Sequence, residues 1–155
     1  MLTPRRVRNA DATTKLGNSL NPIVGTEWLV DANGCDPEAL RSLELLQTVF
    51  QRAISELNLQ VVGEIVWHRF PPPGGVTGMA LLSESHLACH TYPEHGLATI
   101  NLYCCRARPE WPWAAHLHEL LGAREVNVRA IKRYVATVQP LTFEQETEFA
   151  LAEQS

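Results

Sequence analysis

Val76-Thr77-Gly78-Met79-Ala80-Leu81-Leu82-Ser83-Glu84-Ser85-His86-Leu87-Ala88-Cys89-His90-Thr91-Tyr92-Pro93-Glu94-His95-Gly96-Leu97-Ala98-Thr99-Ile100-Asn101-Leu102-Tyr103-Cys104-Cys105 reads as three strands, Val76–Ser83, His86–Tyr92 and Leu97–Cys105. Pro93-Glu94-His95-Gly96 supplies the turn between the last two. Upstream, Pro71-Pro72-Pro73-Gly74-Gly75 removes three backbone donors in succession and closes a strand built on Val61, Val62, Ile65, Val66 and Trp67. Before that strand, Asp36-Pro37-Glu38 starts a helix, with a carboxylate to cap it and proline at its first position. Leu40, Leu43, Leu46, Phe50, Ile54 and Leu57 give it one apolar face and carry it to Asn58. Gly25–Asp31 forms the first strand, and Asn33-Gly34 turns out of it.

Downstream, a second helix covers Pro112–Leu121 and stops at Gly122, a residue suited to a left-handed cap. Glu125–Val135 alternates Val126, Val128 and Ala130 with polar residues, the pattern of a half-buried strand. This order predicts an α+β fold: an antiparallel sheet with two helices packed on one face. The expected organisation is a loose N-terminal arm over 1–24, a domain over 25–135 and a tail over 136–155. In that tail Thr142 precedes Gln145 at capping-box spacing.

The bulk properties narrow the function. The chain has 155 residues, 45% apolar and 19% charged, enough to bury a core and too apolar for a disordered chain. Its net charge of −4 creates no general attraction for a phosphate backbone, so nucleic acid is not the expected partner. No run approaches the ~18 apolar residues of a membrane helix, and no secretory leader is seen. The four cysteines form no CxxC pair, so reduced thiols and a cytoplasmic location are expected.

Reactive side chains crowd into the region from Ser83 to Cys105. A metal site is one reading, but His86 and His90 on a strand lie about 13 Å apart and cannot share one ion; no metal is expected. A second reading makes the cysteines small buried hydrophobes. His116 and His118, two apart on a helix, read as ordinary surface residues. A third reading is self-processing: a Glu-Ser bond in a tight turn, with histidine nearby, invites attack of the serine hydroxyl on the preceding carbonyl.

Leu82-Ser83-Glu84-Ser85-His86-Leu87-Ala88-Cys89-His90-Thr91-Tyr92-Pro93-Glu94 closely resembles the processing segment of the prokaryotic S-adenosylmethionine decarboxylases. Cys105, fifteen residues after His90, Gly34-Cys35-Asp36 and His68-Arg69-Phe70 extend the resemblance, which runs from Gly25 to Tyr134. It implies cleavage between Glu84 and Ser85, with Ser85 becoming a pyruvoyl group that takes the substrate amine as a Schiff base. His90 would remove the α-proton of the ester during processing, and Cys105 would reprotonate the substrate after carbon dioxide leaves. Thr77 stands where the family has a serine that assists processing. Glu94 would bind the ribose hydroxyls of S-adenosylmethionine, and Phe70 would stack on its adenine. The resemblance also implies a homodimer with active sites near the interface, and a product that donates aminopropyl groups for spermidine synthesis.

Some relatives act on arginine or ornithine, and Tyr92, Asn101 and Glu27 differ from the usual tryptophan, aspartate and histidine. A pyruvoyl decarboxylase of either amino acid is therefore the alternative, and an uncleaved binding paralogue is the rival from another class. A thiol is mostly protonated at neutral pH and an imidazole mostly neutral, as an acid and a base require. Strict alternation puts Ser85 and His90 on opposite strand faces, so the backbone at Glu84-Ser85 is expected to be irregular.

Overall fold

The structure, a computed structural model, describes residues 22–135. Nearly all of the expected arm, the tail and its capped helix lie outside the described residues. The chain runs β1 (Ile23–Asn33), α1 (Pro37–Arg41), α2 (Leu43–Glu56), β2 (Val66–Arg69), β3 (Val76–Leu82) and β4 (Ser85–Tyr92). A 3-10 turn over Pro93–His95 follows, then β5 (Leu97–Cys104), α3 (Trp113–Leu121) and β6 (Glu125–Tyr134). The six strands form one sheet in the order β2-β3-β4-β5-β1-β6, antiparallel at every pairing.

Strand alternation divides the sheet into two unlike faces. Val30, Ala80, Leu87, Ile100 and Leu102 point to one side and are buried with Leu40, Phe50, Trp113 and Leu117 from the helices. Each such aliphatic or aromatic side chain contributes roughly 1.5–3 kcal/mol when fully buried. The ring of Trp67 crosses the core side of Gly78, where an added Cβ would meet it at 2.3 Å, and reaches Phe50 at 4.7 Å. The opposite face carries Val66, Met79 and Leu81, which are 69%, 53% and 57% exposed. This is the expected α+β architecture.

Three details depart from the sequence reading. The first helix is two, because Ser42 leaves helical geometry (φ −80°, ψ 107°) and its hydroxyl accepts the Leu45 N–H at 3.3 Å. A serine that caps one helix necessarily ends the previous one. The strand expected from Val61 shrinks to Val66–Arg69, with Val61 keeping one bridge to Leu82; Gly63 at φ +76° breaks the extension. His116 is half-buried rather than a plain surface residue, whereas His118 is exposed as expected. His116 stacks on Trp111 at 4.2 Å with Nε2 3.1 Å from Glu56, and His118 Nδ1 lies 3.0 Å from the Ala123 carbonyl. Gly122 caps α3 at φ +68°, as its sequence position suggests.

Candidate active site

The β3–β4 hairpin turns on only two residues, Ser83 and Glu84, between the paired Leu82 and Ser85. Turns this short demand positive φ somewhere, and Asn-Gly usually supplies it. Here the demand falls on Ser85, whose φ of +142° is one of two positive values at non-glycine positions among the described residues. Such a conformation costs on the order of 1–3 kcal/mol and persists only where the surroundings fix it. The irregular backbone anticipated at Glu84-Ser85 is therefore present.

Glu84 supplies the fixing. Although it sits in a turn, it is only 1% exposed. Arg108 Nη2 donates to its Oε1 at 2.8 Å, while the Ser83 hydroxyl and the Gln60 N–H donate to Oε2 at 3.0 and 3.4 Å. Burial pushes this carboxyl up, but the hydrogen bonds from Gln60, Ser83, its own backbone and Arg108 outweigh it and hold the group below the usual carboxylate range. The Glu84 main-chain carbonyl accepts the Cys105 N–H at 2.8 Å. The carbon that a Ser85 hydroxyl would attack thus has its oxygen already on a donor.

The two adjacent cysteines differ sharply. Cys104 pairs across the sheet with Ser85 but is 0% exposed, and burial above all pushes its thiol up to about 11. Cys89 is likewise buried and pushed up to about 12. Cys105 is exposed and lines a cleft of about 350 Å³ together with Arg106, Arg108 and Lys132.

The other sequence candidates gather at the opposite end of the hairpin. Thr77 and His90 are register partners, and Thr77 Oγ1 lies 2.9 Å from His90 Nδ1. With Phe70, Tyr92 and Glu94 they line a second cleft of about 300 Å³. Its wall depends on Gly75, where an added Cβ would sit 2.3 Å from the Thr91 carbonyl oxygen. Arg41 Nε ties the Pro71–Gly75 loop to α1 by donating to the Pro73 carbonyl at 2.8 Å. Phe70 keeps half its surface free and meets His68 edge-on at 4.5 Å.

The structure therefore brings Glu84, Ser85 and Cys105 together at one end, and Thr77, His90, Phe70 and Glu94 at the other. Five residue steps along β4 separate Ser85 from His90, about 16 Å, so the two groups do not touch within one chain. His86 and His90 both lie on β4, at the spacing that keeps them from one ion. Of the positions that depart from the family, Glu27 accepts a bond from Arg133 at 3.0 Å, Asn101 pairs with Ala88, and Tyr92 rims the second cleft. Arg108 was not foreseen. The pair Arg106 and Arg108 after the cysteines was visible, but nothing local marks a turn glutamate as buried.

A two-layer α+β chain with a strained, doubly held Glu-Ser hairpin defines a class: proteins built to cut themselves at a serine. Residues 26–134 match the S-adenosylmethionine decarboxylase family, and the chain belongs to it. It is 33% identical over 112 residues to the S-adenosylmethionine decarboxylase proenzyme of Caldicellulosiruptor saccharolyticus, covering 71% of this chain and 88% of that protein. The proenzyme of Pelotomaculum thermopropionicum is 36% identical over 112 residues, covering 71% and 86%. The crystal structure of adenosylmethionine decarboxylase from Aquifex aeolicus aligns with a TM-score of 0.62 at 26% identity, over 77% of this chain and 98% of that one.

Proposed function

We propose that this protein is a self-cleaving, pyruvoyl-dependent S-adenosylmethionine decarboxylase whose active site is completed by a second copy of the chain. The observation that carries the reading is the Glu84 carbonyl held on the Cys105 N–H at 2.8 Å, next to Ser85 at φ +142°. Ser85 Oγ attacks the Glu84 carbonyl carbon, the C–N bond breaks, and the chain is joined through an ester with a free amine on residue 85. A base takes the α-proton of residue 85, the Cβ–Oγ bond breaks, and the Glu84 carboxylate leaves. Water then replaces the nitrogen as ammonia, and residue 85 ends as a ketone next to its own carbonyl. That group supplies an electron sink for the pair freed when carbon dioxide departs.

The base has to come from elsewhere, since His90 is about 16 Å along the strand from Ser85. Two sheets packed by their open faces about a twofold axis would exchange hairpin ends. The partner's His90 and Thr77 would then stand beside Ser85, and the cleft with Glu94 and Phe70 would present substrate to it. The exposed Val66, Met79 and Leu81 on that face support such a dimer, because apolar surface of this kind marks an interaction face. Glu94 would accept bonds from the ribose hydroxyls, Phe70 would stack on adenine, and Cys105 Sγ would return a proton to the substrate α-carbon.

Intact-mass analysis tests the reading. Wild type should give fragments of 84 and 155 − 84 = 71 residues, and Ser85→Ala a single inactive chain. A cleaved Ser85→Ala protein, or an active wild type of full mass, contradicts it. Assays with S-adenosylmethionine, arginine and ornithine should show turnover of the first alone.

A further inference from the structure

The mechanism above uses Ser85 and the Glu84 carbonyl but gives no role to the Glu84 side chain or to its partner Arg108. A buried carboxylate in a two-residue turn is unusual, since turns lie at the surface and charges stay in water. Arg108 is unusual as well. Its side chain is only 18% exposed, and its Nε–H is buried without a partner. Its other bonds, to the Asn58 and Ala107 carbonyls, are long at 3.4 Å, so the 2.8 Å contact with Glu84 is its principal one.

The same short segment holds residue 84 twice: Cys105 by the main-chain carbonyl and Arg108 by the carboxylate. We propose that Arg108 is a positioning residue for self-cleavage, holding the scissile Glu84 carbonyl on the Cys105 N–H through the buried Glu84 side chain. This rests on the self-cleavage reading. Without the ion pair, the charged Glu84 side chain would leave the core for water. The turn would then relax, and the strain at Ser85 would no longer be imposed. The unspent Nε–H and the neighbouring Arg106 and Lys132 also give the carboxylate created on Glu84 by the cut a positive setting.

The test follows cleavage of the full-length chain over time by intact mass, across the neutral and mildly acidic range. Arg108→Gln should slow cleavage about 10²-fold, the scale of a small misplacement at a reacting centre. Arg108→Lys, which keeps the charge, should recover part of the rate. The slow variant should speed up relative to wild type as pH falls, because protonation of Glu84 removes the unpaired charge. A purely structural role would lower the melting temperature and leave the rate per folded molecule and its pH profile unchanged, which overturns the proposal. Should Arg108→Gln not fold, the Glu84→Gln/Arg108→Gln double variant decides, since it leaves no buried charge. It should cleave more slowly than wild type, and cleavage at the wild-type rate overturns the proposal while self-cleavage stands. An uncleaved wild type overturns both readings.

Discussion

At the turn end of the β3–β4 hairpin, both carboxylate oxygens and the carbonyl oxygen of Glu84 are bonded within the chain, and Ser85 is held in a strained conformation. At the open end, the Thr77 and His90 side chains bond each other and face a cleft beside Glu94 and exposed Phe70. One end strains its own backbone beside the cleft of about 350 Å³ that Cys105 lines. The other has a cleft of about 300 Å³ but no strained bond. The difference teaches that Ser85 and the imidazole proposed as its base stand at opposite ends, and that distance along β4 keeps them apart within one chain.

Substitutions at the two ends should therefore fail differently. The largest effect is expected for His90→Ala, which leaves the Ser85 attack intact but removes the base for elimination. An ester should accumulate, and hydroxylamine should cut the chain between residues 84 and 85; processing at the normal rate would assign the base elsewhere. Next comes Cys105→Ala, which should lower turnover by about 10²–10⁴-fold, the usual contribution of one positioned acid. It should also inactivate progressively, as misplaced protonation turns residue 85 into alanine. Cys104→Ala should keep most activity and lose about 1 kcal/mol of stability, because that thiol is fully buried on the core face. Reversal of the two cysteine effects would break the strand register used here.

At the open end, Glu94→Gln should leave cleavage unchanged and raise KM about tenfold, the worth of roughly 1.4 kcal/mol of lost binding. A drop in cleavage with unchanged KM would move Glu94 out of the substrate cleft. The smallest effect is on stability, measured in uncleaved Ser85→Ala. Glu84 is held below the range of a free carboxylate, so its folded form binds a proton less readily than its unfolded form. Its contribution is present above the ordinary carboxylate pKa and is lost as pH falls through the lowered one. Adding Glu84→Gln should remove that acid-side loss, and an unchanged pH profile would show that the ion pair does not stabilise the fold.

Much of this architecture was legible because it rests on local signals. The proline-glycine loop and the Asp36 cap specify their elements through backbone chemistry, and side-chain alternation marks Glu125–Tyr134, where Val126 and Val128 are half-buried and Ala130 is exposed. The kinked backbone at Ser85 followed from counting strand faces between Ser85 and His90. The break at Ser42 was hidden because a serine in an apolar-periodic helix looks like an exposed position. The shortened β2 was hidden because Val61 and Val62 have strand propensity but Gly63 precedes the pairing. Within the site, the family resemblance nominated the residues, and their division between two ends did not follow from it. That division depends on the register Thr77↔His90 and Leu82↔Ser85, which fixes distance as well as face. The hold of Arg108 on Glu84 depends on a loop after β5 folding back over the hairpin, which carries no local pattern.

The central claim is that Ser85 of one chain is served by His90 of another. Co-expression of Ser85→Ala with His90→Ala, each carrying a distinguishable tag, tests it directly. Alone, Ser85→Ala has no nucleophile and His90→Ala has no base. In a mixed dimer the His90→Ala chain still has Ser85, and its partner still has His90. The account predicts that the His90→Ala chain is processed into fragments of 84 and 71 residues only in the mixture, with decarboxylase activity returning alongside. No fragments from the mixture, with mixed dimers recovered through both tags, would contradict it.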